Sequence, residues 1–279
     1  MLKQVDLVYS NESGEQALAL KILDLSPKDS LHVRKITGLD PPDIDLFIGE
    51  FSRDGGLYQG RRVPSRNPVI TFDIRPNYAN GETVAGWREI LYKIFLDPRV
   101  DADYSQIILR EDDGRSRYLV GYAEKFETEI FDIETMCQVS LICPDPYIRD
   151  LQETVLTDPF GWLTVPFTYG GTAETGFEVS ITITNNTPTL TLVNNGKTMV
   201  VTYPFLVGDV VYFNTNRGSR NITVTRAGVT TTLIAQLSPL SRWLELHSAA
   251  NSMGVYGATP AVRPAGIRSL TYTAAYWGI

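Results

Sequence analysis

Two histidines and two cysteines are the scarce reactive groups of this chain: His32, His247, Cys137 and Cys143. A Ser–His or Cys–His nucleophile would need one of those imidazoles as its base. His32 lies beside strand-like Val33 and His247 ends the run WLELH, so both read as surface or packed strand histidines. On one strand, at about 3.3 Å per residue, Cys137 and Cys143 would stand about 20 Å apart. A disulfide needs a Cα separation of about 4.4–6.8 Å, so they read as buried, reduced thiols. Zinc needs more Cys or His at close spacing. Gly55-Gly56 lacks the lysine-serine and the strand-to-helix setting of a phosphate loop, and Asp112-Asp113-Gly114 is too short for a calcium loop. No catalytic, cofactor-binding or metal-ligating residue is expected, and the chain does not read as an enzyme. Trp162, Trp243 and Trp277 could stack on sugar rings or pack in a core. Trp243, alternating with Leu244 and Leu246, reads as core, and the other two stay open.

These residues sit on a pattern that is mainly β. Val5 and Leu7 alternate along a first strand. Leu18–Leu25, Leu31–Ile36, Ile44–Ile48 and Val69–Ile74 follow. The run SRDGGLYQGRR reads as a turn-rich connector. One segment breaks the rhythm: Val84, Trp87, Ile90, Leu91, Ile94 and Phe95 share a helical face over about residues 82–96. Glu82 favours its start and Pro98 bars its continuation. After it, SQIILRED and the stretch from Ser116 to Cys143 read as three strands, with Asp112-Asp113-Gly114 as the first turn. Glu124, Glu127, Glu129 and Glu134 mark a solvated or charge-selective face.

Beyond Tyr147 the composition changes. Nineteen threonines fall within residues 154–232, and FEVSITITN, TPTLTLVNN, KTMVVTY, GDVVYFNTN, NITVTR and WLELH read as evenly spaced strands. Asn195-Gly196 is a hairpin turn signal. This half reads as a β-sandwich of jelly-roll or lectin type. Residues 1–150 hold 26 acids and 18 bases, net −8, whereas residues 151–279 hold six acids and seven bases, net +1. With no basic stripe, tight binding to nucleic-acid phosphates is not expected. The apolar runs are too short to span a bilayer. The first residues lack the apolar core of a secretory signal, so folding in the cytoplasm is expected.

The joint between the halves is CQVSLICPDPYIRD, residues 137–150. Pro144 and Pro146 have no amide hydrogen to donate to a ladder and push their predecessors toward extended geometry. They end strand pairing and set a stiff exit.

In their order along the chain, ITGLDPP (Ile36–Pro42), SRDGG (Ser52–Gly56), the WREIL helix, LICPDPYI (Leu141–Ile148), GDVVYFNTN (Gly208–Asn216) and SRWLELHSAANSM resemble the distal tail protein family of long-tailed, non-contractile bacteriophages. His247–Asn251 departs from the pattern, because relatives often place Pro-Gly before the Asn. The resemblance implies a ring-forming, β-sandwich-like N-terminal domain over residues 1–147 and a galectin-like β-sandwich over 148–279. It implies a hexameric hub in the virion tail tip, joining the tail tube protein to the baseplate hub or fibre. A receptor-binding protein or a host glycan would be a further partner, and DNA would only pass through the channel. Acids facing that channel would repel the passing genome. Two other readings compete: a carbohydrate-binding module for host attachment, and a tail-associated hydrolase, which the missing catalytic groups disfavour. The connector at 49–68 and the strands at 116–143 are the candidate surfaces for ring formation.

Overall fold

The computed structural model describes residues 2–11, 14–21, 30–50, 54–96, 105–128, 135–157, 165–257 and 265–279. The chain divides into two compact units, Met1–Leu151 with Trp277–Ile279, and Gln152–Tyr276. The first unit therefore runs four residues past the division expected after residue 147, and it takes back three residues from the far end of the chain.

In the first unit, β1 (Leu2–Asn11), β2 (Gly14–Lys21), β3 (Leu31–Thr37), β4 (Asp45–Glu50), β5 (Gly56–Arg62) and β6 (Val69–Ile74) precede helix α1 (Val84–Leu96). Then come β7 (Ser105–Glu111), β8 (Ser116–Thr128), β9 (Met136–Ile142) and β10 (Ile148–Asp150). Seven strands pair in the order β8-β7-β1-β2-β3-β6-β9, and β9 pairs again with β8. The expected sandwich-like domain is thus a sheet that closes on itself, which removes open edges. Long β8 makes closure possible. Its first half, up to Gly121, pairs with β7, and its second half, from Tyr122, pairs with β9 through a ladder that carries a bulge between Ala123 and Lys125. The weakest seam is β2 against β3, parallel and joined at Lys21 and His32.

Alternation decides which side of each strand faces the core. Leu7, Ile107 and Leu119 lie directly opposite one another across β1, β7 and β8, and all are buried. Ile70 and Val139 do the same across β6 and β9. Two buried acids interrupt the apolar set and each is answered: Asp6 by Arg110 Nε at 2.5 Å, and Asp73 by Arg34 Nε at 2.6 Å.

Helix α1 lays Leu91 and Phe95 onto the barrel, where Phe95 packs 5.1 Å from Phe126, which stacks on Phe72. Thr83 caps the helix through the amide of Gly86. Glu82, expected to complement the helix dipole, instead accepts from Ser30 Oγ, the amide of Asn77 and the indole of Trp87.

The second unit is a two-sheet sandwich. One sheet runs β11 (Thr154–Thr157), β20 (Ala265–Tyr272), β13 (Glu178–Ile183), β16 (Val210–Asn214), β17 (Asn221–Arg226), β18 (Val229–Thr232). The other runs β12 (Val165–Tyr169), β19 (Ala249–Tyr256), β14 (Thr187–Asn194), β15 (Lys197–Phe205). Rows such as Val179–Phe213–Ile222 and Ile181–Val211–Val224 face Leu190, Leu192, Met199, Val201 and Met253 in one dry core. Asn195 and Gly196, at φ 47° and 76°, form the expected two-residue hairpin turn. WLELH, expected as a strand, is not one. Its ladder contact is a single bridge from Leu246 to Thr175. Its alternation arises because Leu244 and Leu246 face the core while the residues between them do not.

Asp209, 2% exposed, accepts from Arg226 Nε at 2.8 Å, Arg226 Nη2 at 2.7 Å and the amide of Leu206 at 2.8 Å. Hydrogen bonds from Arg226 hold its carboxyl below the ordinary carboxylate range despite burial. A depressed folded pKa gives stability that is present above the unfolded value and lost as pH falls through the folded one. Asp209→Asn is therefore expected to cost the second unit about 1–3 kcal/mol near neutral pH. The gap to the native chain should shrink on acidification below about pH 4, as read by thermal unfolding across pH.

Candidate assembly surfaces

The residues singled out for chemistry do not converge. His32 is buried on β3 opposite Asp73, and His247 lies in the second unit. Cys137 and Cys143 are buried free thiols, and burial pushes Cys143 up to about 11, so it stays protonated at neutral pH. Among the described residues no three His, Cys, Asp or Glu side chains group to hold a metal, and no helix is long and apolar enough to cross a membrane. Trp162, Glu129 and Glu134 lie outside the described residues.

Two other surfaces stand out. The first is the run read as a connector, which is in fact half of a hairpin. β4 and β5 pair with each other and, among the described residues, with no further strand. Leu46, Ile48 and Tyr58, which lies opposite Ile48, share one face of this ribbon, and Phe47 and Leu57 share the other. Each of the five is between 49% and 60% exposed. Gly56 and Gly60 disguised β5 as a loop. Gly56 is in fact needed within the strand, because the Ile48 side chain lies where its Cβ would be.

Past the ribbon, four residues after β5, lies Arg66, 3% exposed. Its backbone bridges Cys143, with Arg66 N to Cys143 O at 3.0 Å and Cys143 N to Arg66 O at 2.8 Å. Its guanidinium donates to the carbonyls of Leu39 at 2.9 Å, Gly38 at 3.4 Å, Pro146 at 2.8 Å and Trp277 at 2.5 Å. Burial lowers its pKa, against the fields of Cys143, Asp40 and Asp145. The joint motif is rigid in its own right. Asp145 accepts from the amide of Tyr147 at 3.2 Å and from Arg149 Nη2 at 2.7 Å. Pairing does not stop for good at the prolines, because β10 resumes it against β8. Trp277 packs edge-on against Tyr147 at 5.2 Å, so its role is packing.

The second surface is a polar corner of the sandwich. Glu245 accepts from Arg217 at 3.0 Å and lies 3.5 Å from Arg220, whose guanidinium sits 5.3 Å over the Trp243 ring. His247 places Nδ1 2.9 Å from Glu174 and Nε2 3.2 Å from Lys197. Asn251 is fully buried; its Oδ1 accepts from the His247 amide at 3.0 Å and its Nδ2 donates to the His247 carbonyl at 2.8 Å. These charges answer one another. Trp243 is partly buried against the core, and Arg220 lies over its ring. In the departure from the Pro-Gly pattern, Ala249 takes φ 77°, a left-handed conformation suited to glycine.

Residues 170–276 match the family model of the siphovirus-type tail component, C-terminal domain. The second unit is thus similar to a siphovirus-type tail component domain. The buried core of this tail-component domain and its polar corner both fall within the matched residues. The whole chain is similar in fold to the SPP1 Dit (gp 19.1) protein, described as a paradigm of the hub adsorption apparatus in phages infecting Gram-positive hosts. The TM-score is 0.64 at 15% identity, covering 96% of this chain and 98% of that one. A chain of the phage P2 baseplate in its activated conformation with Ca gives a TM-score of 0.48 at 10% identity, covering 99% and 98%. No curated protein matches the chain.

Arg66→Lys keeps the charge but cannot reach all these carbonyls. Leaving buried acceptors unmet at about 1–3 kcal/mol each predicts a loss of about 3 kcal/mol or more in the first unit, read by denaturant titration of Trp87 and Trp277 fluorescence. Ala249→Gly is expected to raise the stability of the tail-component domain by about 0.5–1 kcal/mol, seen as a higher midpoint in its own unfolding transition.

Proposed function

We propose that this chain is a structural protein of a bacteriophage tail tip, a hub whose copies close into a hexameric ring joining the tail tube to the baseplate or fibre. The observation that carries this reading is the tail-component domain at residues 170–276. The architecture shared with SPP1 Dit over nearly the full length supports the same role for the first unit. The role is mechanical and involves no reaction. Buried, protonated Cys143 and structurally engaged His247 are in keeping with that.

In this reading the first unit builds the ring and the tail-component domain is free to carry a receptor-binding protein. The covered face of Trp243 argues against direct stacking on a host glycan. The genome would pass through the ring without specific binding, in keeping with the net −8 of residues 1–150. The protein would fold in the host cytoplasm and end in the virion.

Antibodies against the chain, imaged by immunogold electron microscopy on intact virions, should label the distal end of the tail. Averaged images of that end should show six-fold symmetry at the labelled level. Label on the capsid, or none on purified particles, would overturn the tail-tip role. Another symmetry would overturn the hexamer alone.

A further inference from the structure

The dipeptide Asn-Gly occurs twice in this chain, at Asn80-Gly81 and at Asn195-Gly196. It carries a chemistry of its own. The glycine amide nitrogen can attack Cγ of the preceding side chain, because no Cβ shields that nitrogen. A bond forms from the glycine nitrogen to Cγ, and the Cγ–Nδ2 bond breaks. Ammonia leaves with the proton given up by the backbone nitrogen, and a five-membered succinimide ring remains. Water then adds to one of the two ring carbonyls and opens the ring to aspartate or isoaspartate. Nothing is oxidised or reduced, and water is the co-reactant.

The space at the two glycines is equally open: a Cβ built on Gly81 or on Gly196 would meet nothing within 4 Å. The asparagines differ. The Asn195 side chain is engaged at both ends. Its Oδ1 accepts from the Ser252 amide at 2.8 Å, and its Nδ2 donates to Asn251 Oδ1 at 3.4 Å and to the Ala250 carbonyl at 3.5 Å. Its backbone amide donates to the Ser252 carbonyl at 3.0 Å, which ties the turn to β19. Ring closure would swing Cγ toward Gly196 and strip the Ser252 amide of its acceptor. It would also distort the turn beside the Asn194–Lys197 pair of β14 and β15.

Asn80 closes a single 3-10 turn, Tyr78–Asn80, that buries none of its residues. Tyr78, Ala79, Asn80 and Gly81 are all exposed. Among the described residues no hydrogen bond holds the Asn80 side chain. The attacking nitrogen is engaged by one bond, from Gly81 N to Tyr78 O at 3.1 Å, inside a turn whose exposed backbone opens at little cost.

We propose that Asn80 is a site of spontaneous succinimide formation in the folded protein, and that Asn195, with the same dipeptide, is protected by its side-chain hydrogen bonds. The inference is independent of the tail-tip role. Conversion adds a carboxylate, and in isoaspartate also an extra backbone methylene, between Asn77 and Glu82. Those two residues are joined by Asn77 N to Glu82 Oε2 at 2.9 Å and Glu82 N to Asn77 O at 3.3 Å. The modification therefore falls in the loop that positions the Glu82 carboxylate against Trp87 Nε1, at 3.0 Å, near the start of α1.

The test follows the full folded chain in mildly alkaline buffer made with oxygen-18 water, by peptide mass mapping over time. At Asn80 the side-chain nitrogen should be replaced by one heavy oxygen, with isoaspartate appearing in the same peptide. Three side-chain hydrogen bonds to open, two of them long, should leave Asn195 about tenfold slower or more. In denaturant the two sites should react at similar rates, because the tertiary hold on Asn195 is gone. An N80Q variant, whose longer side chain would have to close a six-membered ring, should stay unmodified at residue 80. Equal rates at Asn80 and Asn195 in the folded chain would overturn the proposal. So would a folded chain that stays intact at Asn80 while the denatured chain reacts there, or a rate difference of the same size in denaturant.

Discussion

A guanidinium removed from water must find acceptors for its fixed fork of donors, and Arg66 finds four carbonyls and no carboxylate. The acceptors come from three stretches that are remote in sequence: Gly38-Leu39, Pro146 and Trp277. Each stretch alone would leave the charge short of partners, and the Leu39 and Pro146 carbonyls without the charge would be buried acceptors unmet. The arrangement is therefore mutually dependent. It holds Gly38-Leu39, the proline exit and the returning Trp277–Ile279 in a single geometry. It also explains why the Pro-Asp-Pro element is more than a chain stop. The carbonyl of Pro146 points inward to Arg66, while Asp145 folds the next turn around Arg149.

The two units meet their surface requirements in opposite ways. In the tail-component domain, charges that project from the sandwich corner are answered within it, through Glu245 with its two arginines and His247 between Glu174 and Lys197. The indole that might have been an open platform is roofed by Arg220. The first unit closes its barrel and so hides the edges of those strands, yet it leaves five large apolar side chains of the ribbon about half exposed.

Much of this was legible in the residues. Period-two alternation in Val5–Leu7, Val69–Ile74 and Glu178–Ile183 follows from side chains pointing to opposite faces, so strands with one buried face announce themselves. The 3.6-residue spacing of Trp87, Leu91 and Phe95 did the same for α1. Asn195-Gly196 was readable because both residues tolerate positive φ. The misreadings share a cause. β5 reads as a connector because its pattern answers to β4 and to no core, and Gly56, across which the Ile48 side chain lies, looks like a breaker in one dimension. WLELH was taken for a strand because burial on alternate sides gives the same pattern whether or not a ladder forms.

By itself, then, the sequence determined the local propensities: a mainly β chain with one helix, a change of character near the prolines, and an acidic first half. These depend on residue types and short spacings, which the chain carries in one dimension. Only the tertiary structure decided that the first sheet closes into a barrel, that Trp277–Ile279 return to it, that Arg66 draws three distant carbonyl stretches together, and that Arg220 covers Trp243. Each of these is a contact between residues tens or hundreds of positions apart. Its strength comes from shared burial, which no local pattern records.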